Sequence, residues 1–314
     1  MADTAALADQ RITKLSTASL RRVLEPEELF DWRLGDGQVI PDELLSIHGL
    51  DVPLSSSQRG QLAREEVAAM LAMGIRFESV LLAGFGLQLA ATSDVTDPRV
   101  AYILHELGEE TRHSRAFARL IEALEPTATN PLMHGVPLKI ASLQIRSLIH
   151  NPALFTVLVL AGEEIPDLLQ HLASEHPDTD PLIAAVNRYH RAEEARHLSF
   201  ARTVLPEMWD EASAVERFRV LRVAPIGIRG LFDLFVHPGV YESIGLPGWK
   251  TWRAVRSLPT RVALRHAATR PIVAALRDAG AVTTVPKGWR DLAGVDHAGN
   301  PVPGDVSLPG NATA

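Results

Sequence analysis

Cysteine is absent from the 314-residue chain, which excludes a disulfide framework, a zinc ribbon, a thiolate nucleophile and a thiolate-held iron–sulfur centre. Any metal must therefore rest on histidine and carboxylate. Tyrosine is nearly absent, at three residues, and lysine supplies only four of the 31 basic side chains, a bias of genomic composition rather than of function. Neither sign of charge dominates: 31 basic residues stand against 38 acidic ones, and 46% of the chain is hydrophobic. Disorder and nucleic-acid binding are thereby excluded as the main business, and a substantial core can be buried. The first residues, MADTAALADQRITK, have neither the apolar stretch nor the cleavage site of a secretory signal, so the expected location is the cytoplasm. The longest apolar run, Val67 to Ala91, is broken by Arg76, Glu78, Ser79 and Gln88. Two charges near the centre of a membrane span would cost roughly 2.5 to 3.5 kcal/mol each. No comparable second run follows, so this one reads as a helix buried in a protein core, and no transmembrane span is expected.

What is present is a series of long helical patterns separated by proline-marked turns, with no strand pattern of any length. The expected fold class is all-α, one domain with decorations. Residues 1–59 mix short helical patches with turn signals, Gly35-Asp36-Gly37 and Ser55-Ser56-Ser57 among them, and are expected to wrap the core. The bundle itself is expected over 60–210. Its first helix runs from Gln61 to Ala91; its second opens at Asp97-Pro98 and ends at Glu125-Pro126. The third opens at Asn151-Pro152, and the fourth runs from Asp180-Pro181 to about Leu205-Pro206. A shorter helical stretch from Leu138 to His150 separates the second from the third. Additional helices fill 211–279, at Glu211 to Arg222, Ile226 to Phe235 and Trp249 to Arg277, and 280–314 reads as an irregular tail.

The second and fourth helices repeat each other. Asp97-Pro98 leads to EETRHSRAFAR at 109–119, and Asp180-Pro181 leads to EEARHLSFAR at 193–202. In each copy Glu-x-x-His sets a carboxylate and an imidazole one turn apart on one helix face, where both reach a single metal ion. The pairs are Glu110 with His113 and Glu194 with His197. They share a stripe with Ile103, Leu107, Phe117, Ile121 and Leu124 in one helix and with Ile183, Val186, Phe200 and Val204 in the other. Ionisable groups facing a core need partners or a metal. Glu78 in the first helix and Glu163 or Glu164 in the third complete a Glu, Glu-x-x-His, Glu, Glu-x-x-His pattern, the di-iron or di-manganese arrangement of ferritin-like four-helix bundles. Such oxygen-rich donors suit iron or manganese. Glu109 and Glu193 are candidates to hold the outer ring nitrogens of the histidines; equally, they can pair with Arg112, Arg115 or Arg196. His190 lies four residues before Glu194 on the same face and is a candidate third ligand from that helix. The matching place in the second helix is Glu106.

With these residues in view the chain resembles the p-aminobenzoate N-oxygenase family of di-iron oxygenases, within the ferritin-like superfamily. Thirty residues separate Glu78 from Glu109 and twenty-nine separate Glu163 from Glu193, as in that family's repeat, and His190 stands at its additional histidine. The resemblance covers roughly residues 60 to 205, and it departs from the family in having Glu109 and Glu193 where Asp is common. It implies two iron ions, with manganese possible at one site, held by Glu78, Glu110, His113, Glu163, His190, Glu194 and His197. It also implies oxidation of an (aryl)amine by O2 to a hydroxylamine, nitroso or nitro product. Under this reading no catalytic group is needed beyond the metal ligands. The partners expected with it are a small-molecule substrate, O2, an external reductase or small reductant, no nucleic acid, and a second copy of the chain in a homodimer. Substrate-binding residues are not legible.

The same scaffold carries other chemistry. A radical-generating reductase subunit would need Tyr where Phe117 stands, four residues after His113. Acyl desaturases or hydroxylases share the Glu-Glu-x-Arg-His-like motifs but lack the additional histidine. A non-catalytic structural bundle would pair the buried Glu and His with Arg76, Arg112 and Arg196, at a cost of several kcal/mol for each ion left unpaired.

Overall fold

The computed structural model describes residues 2–308 apart from 22, 136–138, 140–144 and 147. Twelve α-helices and no β-strand are found among the described residues, apart from one isolated bridge between Val295 and Pro301. The helices are α1 (Ala2–Arg21), α2 (Pro26–Leu29), α3 (Ser56–Ala91), α4 (Pro98–Leu124), α5 (Pro152–Glu175), α6 (Pro181–Glu211), α7 (Ala214–Phe218), α8 (Ala224–Leu234), α9 (Pro238–Ser243), α10 (Gly248–Val255), α11 (Pro259–Asp278) and α12 (Lys287–Ala293). A π-helical turn, Arg219–Val223, joins α7 to α8.

Local chemistry sets the ends of the bundle helices. Asp97 accepts a hydrogen bond from Arg99 N at 2.8 Å, Asp180 accepts one from Leu182 N at 2.8 Å, and proline follows each cap. Both starts are as the sequence predicts. Glu125 ends α4 in the left-handed region at φ 50°, with Pro126 next to bar continuation. The first bundle helix begins earlier than expected, because Ser55 and Gln58 form a reciprocal capping box in the stretch that reads as a turn. Helices α5 and α6 run through Pro166 and Pro206 rather than stopping at them.

Helix α3 packs on α4 and α5 packs on α6. Two apolar clusters fill the interior. One gathers Leu81 and Phe85 of α3, Tyr102 and Ile103 of α4, Leu154 to Ile165 of α5 and Leu198 and Phe200 of α6. The other gathers Leu62 and Leu71 of α3, Phe117 and Leu120 of α4 and Leu182 to Val186 of α6. Helices α3 and α6 pass from the second cluster into the first and α4 passes the other way; α4 crosses between Ile103 and Phe117 and α6 between Val186 and Leu198, where their acidic residues lie, and α3 crosses between Leu71 and Met73, just ahead of Glu78. A polar layer is thus held between two apolar ones. Helix α3 is the one described helix long and apolar enough to cross a membrane; here it lies against α4 with Leu62, Leu71, Glu78 and Leu81 buried.

The flanks differ from the sequence expectation in three places; the stretch from Trp249 to Arg277 is broken into α10 and α11, the second opening at Pro259. Residues 2–21 form a continuous helix that lies on α4 and α6. In the stretch expected to be irregular, α12 forms and buries Trp289, whose Nε1 donates to Val220 O at 3.0 Å. The apolar positions Trp289 and Leu292 are too few for a periodic signal but enough to seat a short helix on α11. The expected helix from Leu138 to His150 falls mostly outside the described residues.

Candidate metal centre

All seven residues singled out as ligands meet in the polar layer. Glu78 comes from α3, Glu110 and His113 from α4, Glu163 from α5, and His190, Glu194 and His197 from α6. None is more than 4% exposed. One donor atom each from Glu78, His113 and His190 lies within 4.8 Å of the others, and the same holds for Glu110, Glu163, Glu194 and His197. The groups adjoin: His113 Nδ1 is 3.1 Å from Glu194 Oε1 and 3.4 Å from Glu110 Oε2. His197 Nδ1 is 2.8 Å from Glu194 Oε2 and 3.2 Å from Glu110 Oε1. His190 approaches with Nε2, 3.1 Å from Glu194 Oε1 and 3.6 Å from Glu78 Oε1.

A second layer fixes the rings, and it is crossed between helices. His113 Nε2 donates to Glu193 Oε2 of α6 at 2.9 Å, while His197 Nε2 donates to Glu109 Oε2 of α4 at 2.8 Å. A carboxylate acceptor keeps the proton on Nε2 and leaves the Nδ1 lone pair facing the cluster. His190 is turned the other way round, since Gln170 Oε1 lies 2.9 Å from its Nδ1 and leaves Nε2 for the cluster. The remaining oxygens of Glu109 and Glu193 face arginine: Arg196 Nη2 is 2.8 Å from Glu109 and 3.6 Å from Glu193, and Arg112 lies at 4.0 and 3.7 Å. The two roles open in the sequence are therefore both filled by the same carboxylates. Arg115 takes no part; it pairs with Glu25 and Glu27 at the surface.

The donor set fits a pair of divalent cations. The carboxylates of Glu78, Glu110, Glu163 and Glu194 carry four negative charges, which two divalent ions neutralise. Among the described residues Glu163 Oε1 is buried without a hydrogen bond, and Glu110 Oε1 and Glu194 Oε1, though 3.1 to 3.2 Å from imidazole nitrogens, make none of good geometry, an arrangement that a polar interior tolerates only where another partner is supplied. Their electrostatics say the same. Burial, reinforced by the charges of Glu194 and Glu110, pushes the Glu163 carboxyl well above its ordinary range. Burial alone would lower His113 and His197, but the surrounding carboxylates outweigh it and raise both. Burial would raise Glu109, yet the His197 hydrogen bond and the charges of His197 and Arg196 hold it down at about 2.

Glu163 and Glu164, both open as candidates in the sequence, point in different directions. Glu163 faces the cluster, and Glu164 turns outward to pair with Arg202. Sequence reasoning missed Gln170, which lies two turns beyond Glu163 on α5 and so on the same face; that spacing is its signal. It also missed the crossing of Glu109 and Glu193, which no single-helix pattern carries. Gly84 is a packing residue rather than a gap for a ligand, because a methyl group there would overlap Phe155.

A cavity of 120 Å³ opens on one side of the centre. Glu78, Glu163 and His190 form part of its wall, and Met70, Met73, Phe77, Phe117, Leu169 and Leu264 make much of the rest. Arg261 lines it too; its guanidinium lies over the Phe232 ring at 4.7 Å and makes no ion pair among the described residues.

The sequence profile of the family described as P-aminobenzoate N-oxygenase AurF matches residues 6–280. The chain belongs to that family. It is accordingly a non-haem di-metal oxidoreductase with a ferritin-like fold. Among curated proteins it is similar to uncharacterized protein Rv0885 of Mycobacterium tuberculosis, 27% identical over 256 residues that cover 76% of this chain and 73% of the relative. Uncharacterized protein Mb0909 of Mycobacterium bovis matches to the same extent. Among solved structures, a point mutant of an R2-like ligand-binding oxidase with an anaerobically reconstituted Mn/Fe cofactor matches at 12% identity and TM-score 0.44, over 85% of this chain and 92% of that one.

Proposed function

We propose that the protein N-oxygenates an arylamine that carries an acidic group, with Glu78, Glu110, His113, Glu163, His190, Glu194 and His197 as the ligands of two iron ions. The observation that carries this reading is the cavity, whose wall joins three of the candidate ligands to apolar side chains and an arginine without an ion-pair partner among the described residues. At 120 Å³ it suits one aromatic ring, since an engineered apolar cavity of about 150 Å³ takes up benzene. Two irons in this donor set would supply the electrons and open positions at which O2 is reduced.

The chain's own residues do the rest. Phe77, Phe117, Leu169 and Leu264 hold the ring and exclude water. Arg261 takes the acidic group by charge-assisted hydrogen bonds. Glu109 and Glu193 keep protons on the outer nitrogens of His197 and His113, so that the inner lone pairs point at the metals. Conversion of the amine to the hydroxylamine consumes one O2, two electrons and two protons and releases water. The electrons come from an external reductase or small reductant. A homodimer in the cytoplasm remains part of the proposal.

The test is a substrate panel. Iron-loaded protein with reductant and O2 is offered arylamine carboxylates, their methyl esters and alkyl carboxylic acids, with products read by mass spectrometry. The proposal expects nitrogen oxygenation of the arylamine carboxylates. Oxidation of alkyl acids with no nitrogen–oxygen product would replace it by the acyl hydroxylase or desaturase reading, which the leucine and methionine walls also suit.

A further inference from the structure

The metal centre has an approximate two-fold relation that exchanges α3 with α5 and α4 with α6. Glu78 then corresponds to Glu163, Glu110 to Glu194, His113 to His197 and Glu109 to Glu193. The crossed hydrogen bonds of Glu109 and Glu193 obey the relation, at 2.8 and 2.9 Å. His190, four residues before Glu194, belongs to the group of Glu78 and His113. Its counterpart, four residues before Glu110, is Glu106, which the relation sets beside the group of Glu163 and His197 without its being one of the four residues whose donor atoms already converge there.

Glu106 has the features of a donor rather than of a structural acid. It is completely buried, and neither carboxylate oxygen has a hydrogen-bond partner among the described residues. The position one turn earlier offers no relief: the Tyr102 hydroxyl is buried and unpartnered as well, its ring held against Phe200 at 4.4 Å between centroids. After burial, the charged group that most affects Glu106 is His197, followed by Glu110, Glu194 and Glu109. Glu106 is also absent from the wall of the cavity, which meets the centre at Glu78, Glu163 and His190.

We propose that Glu106 is an eighth protein ligand, the carboxylate that completes the metal site of Glu163 and His197 as His190 completes that of Glu78 and His113. The two ions would then sit in unlike surroundings, one richer in nitrogen and one built almost wholly of oxygen, the harder set that favours manganese or oxidised iron. A fifth carboxylate also brings the protein charge to that of one divalent plus one trivalent ion. The inference rests on the seven-residue assignment.

The experiment is an anaerobic titration of metal-free full-length protein with Mn(II), free ion being read by its electron paramagnetic resonance signal. Glu106→Gln, Glu106→Leu and Glu106→Asp are compared with the parent protein, and circular dichroism melting checks that each is folded. The parent should take two equivalents. The Gln and Leu variants should weaken one equivalent by about tenfold or more and leave the other in place, and Asp should recover part of the loss. In the metal-free state the Leu variant should melt higher than the parent, because a buried unpartnered carboxyl has been removed. Two unchanged equivalents in Gln and Leu, or equal weakening of both, overturns the role of Glu106. A parent protein that takes fewer than two equivalents overturns the underlying assignment instead.

Discussion

Glu109→Gln keeps the shape of the side chain and removes its charge, and the crossed second layer predicts where the effect falls. Glu109 Oε2 lies 2.8 Å from His197 Nε2 and Oε1 lies 2.8 Å from Arg196. Losing the outer partner of a metal-binding histidine costs about 10- to 100-fold in metal affinity, or about 1.4 to 2.8 kcal/mol. The loss should appear at the ion held by His197, on the opposite helix, and not at the ion held by His113 of Glu109's own helix. A double-mutant cycle separates the two. Mn(II) affinities are measured anaerobically for Glu109→Gln, His197→Asn, His113→Asn and both double variants. The coupling between positions 109 and 197 should exceed about 1 kcal/mol, while positions 109 and 113 should add within about 0.5 kcal/mol. Coupling to His113 without coupling to His197 would refute the crossed arrangement, and so would an unaltered affinity in the Glu109→Gln variant.

Metal-free protein should lose stability as pH rises from about 5 to 8. Burial raises the carboxyls of Glu66 to about 7 and of Glu106 to about 8 from an ordinary 4.5, so the folded state binds more protons than the unfolded state in that window. Each such group contributes on the order of a few kcal/mol that disappears as pH climbs through its folded value. The raised His113 and His197 act with the same sign. Glu109, held at about 2, acts oppositely only in acid, losing its contribution as pH falls below about 4. Urea midpoints at pH 5.5 and 8 check this, and a higher midpoint at pH 8 would contradict it. Gly162→Ala puts a methyl group into the Phe77 ring beside Glu163 and should cost about 1 to 3 kcal/mol by overpacking. Gly86→Ala, with nothing within 4 Å, should instead gain about 0.5 to 1 kcal/mol from helix propensity; equal urea midpoints for the two variants would contradict the packing account. Arg261→Gln should raise KM for an arylamine carboxylate by about tenfold or more, the worth of a charged hydrogen bond, and leave the methyl ester unaffected. Equal effects on acid and ester would remove Arg261 from substrate recognition.

The bundle and its candidate ligands were legible because helical periodicity and ligand spacing are local. Glu-x-x-His is a relation within one turn, and the caps at Asp97 and Asp180 are relations within three residues. What escaped was either non-local or masked by a stronger local signal. The crossing of Glu109 to His197 joins residues 88 apart. The capping box at Ser55 hides in a serine run that reads as a turn. Pro206 reads as a stop, yet Trp209, buried in the core, carries α6 onward to Glu211. Helix α12 is fixed by one buried tryptophan bonded to a carbonyl 69 residues away, which no window along the chain detects. Glu106 was visible as the counterpart of His190, but only burial and its two unpartnered oxygens give that correspondence a meaning.

The central claim is a dinuclear centre in the polar layer between the two apolar clusters. Its most direct test is the iron retained per chain after anaerobic loading of the metal-free protein with Fe(II) and desalting. The account predicts two ions, lost together when Glu110 and Glu194 are both replaced by Ala. Folded protein that retains none, or retains two after that double replacement, would contradict it.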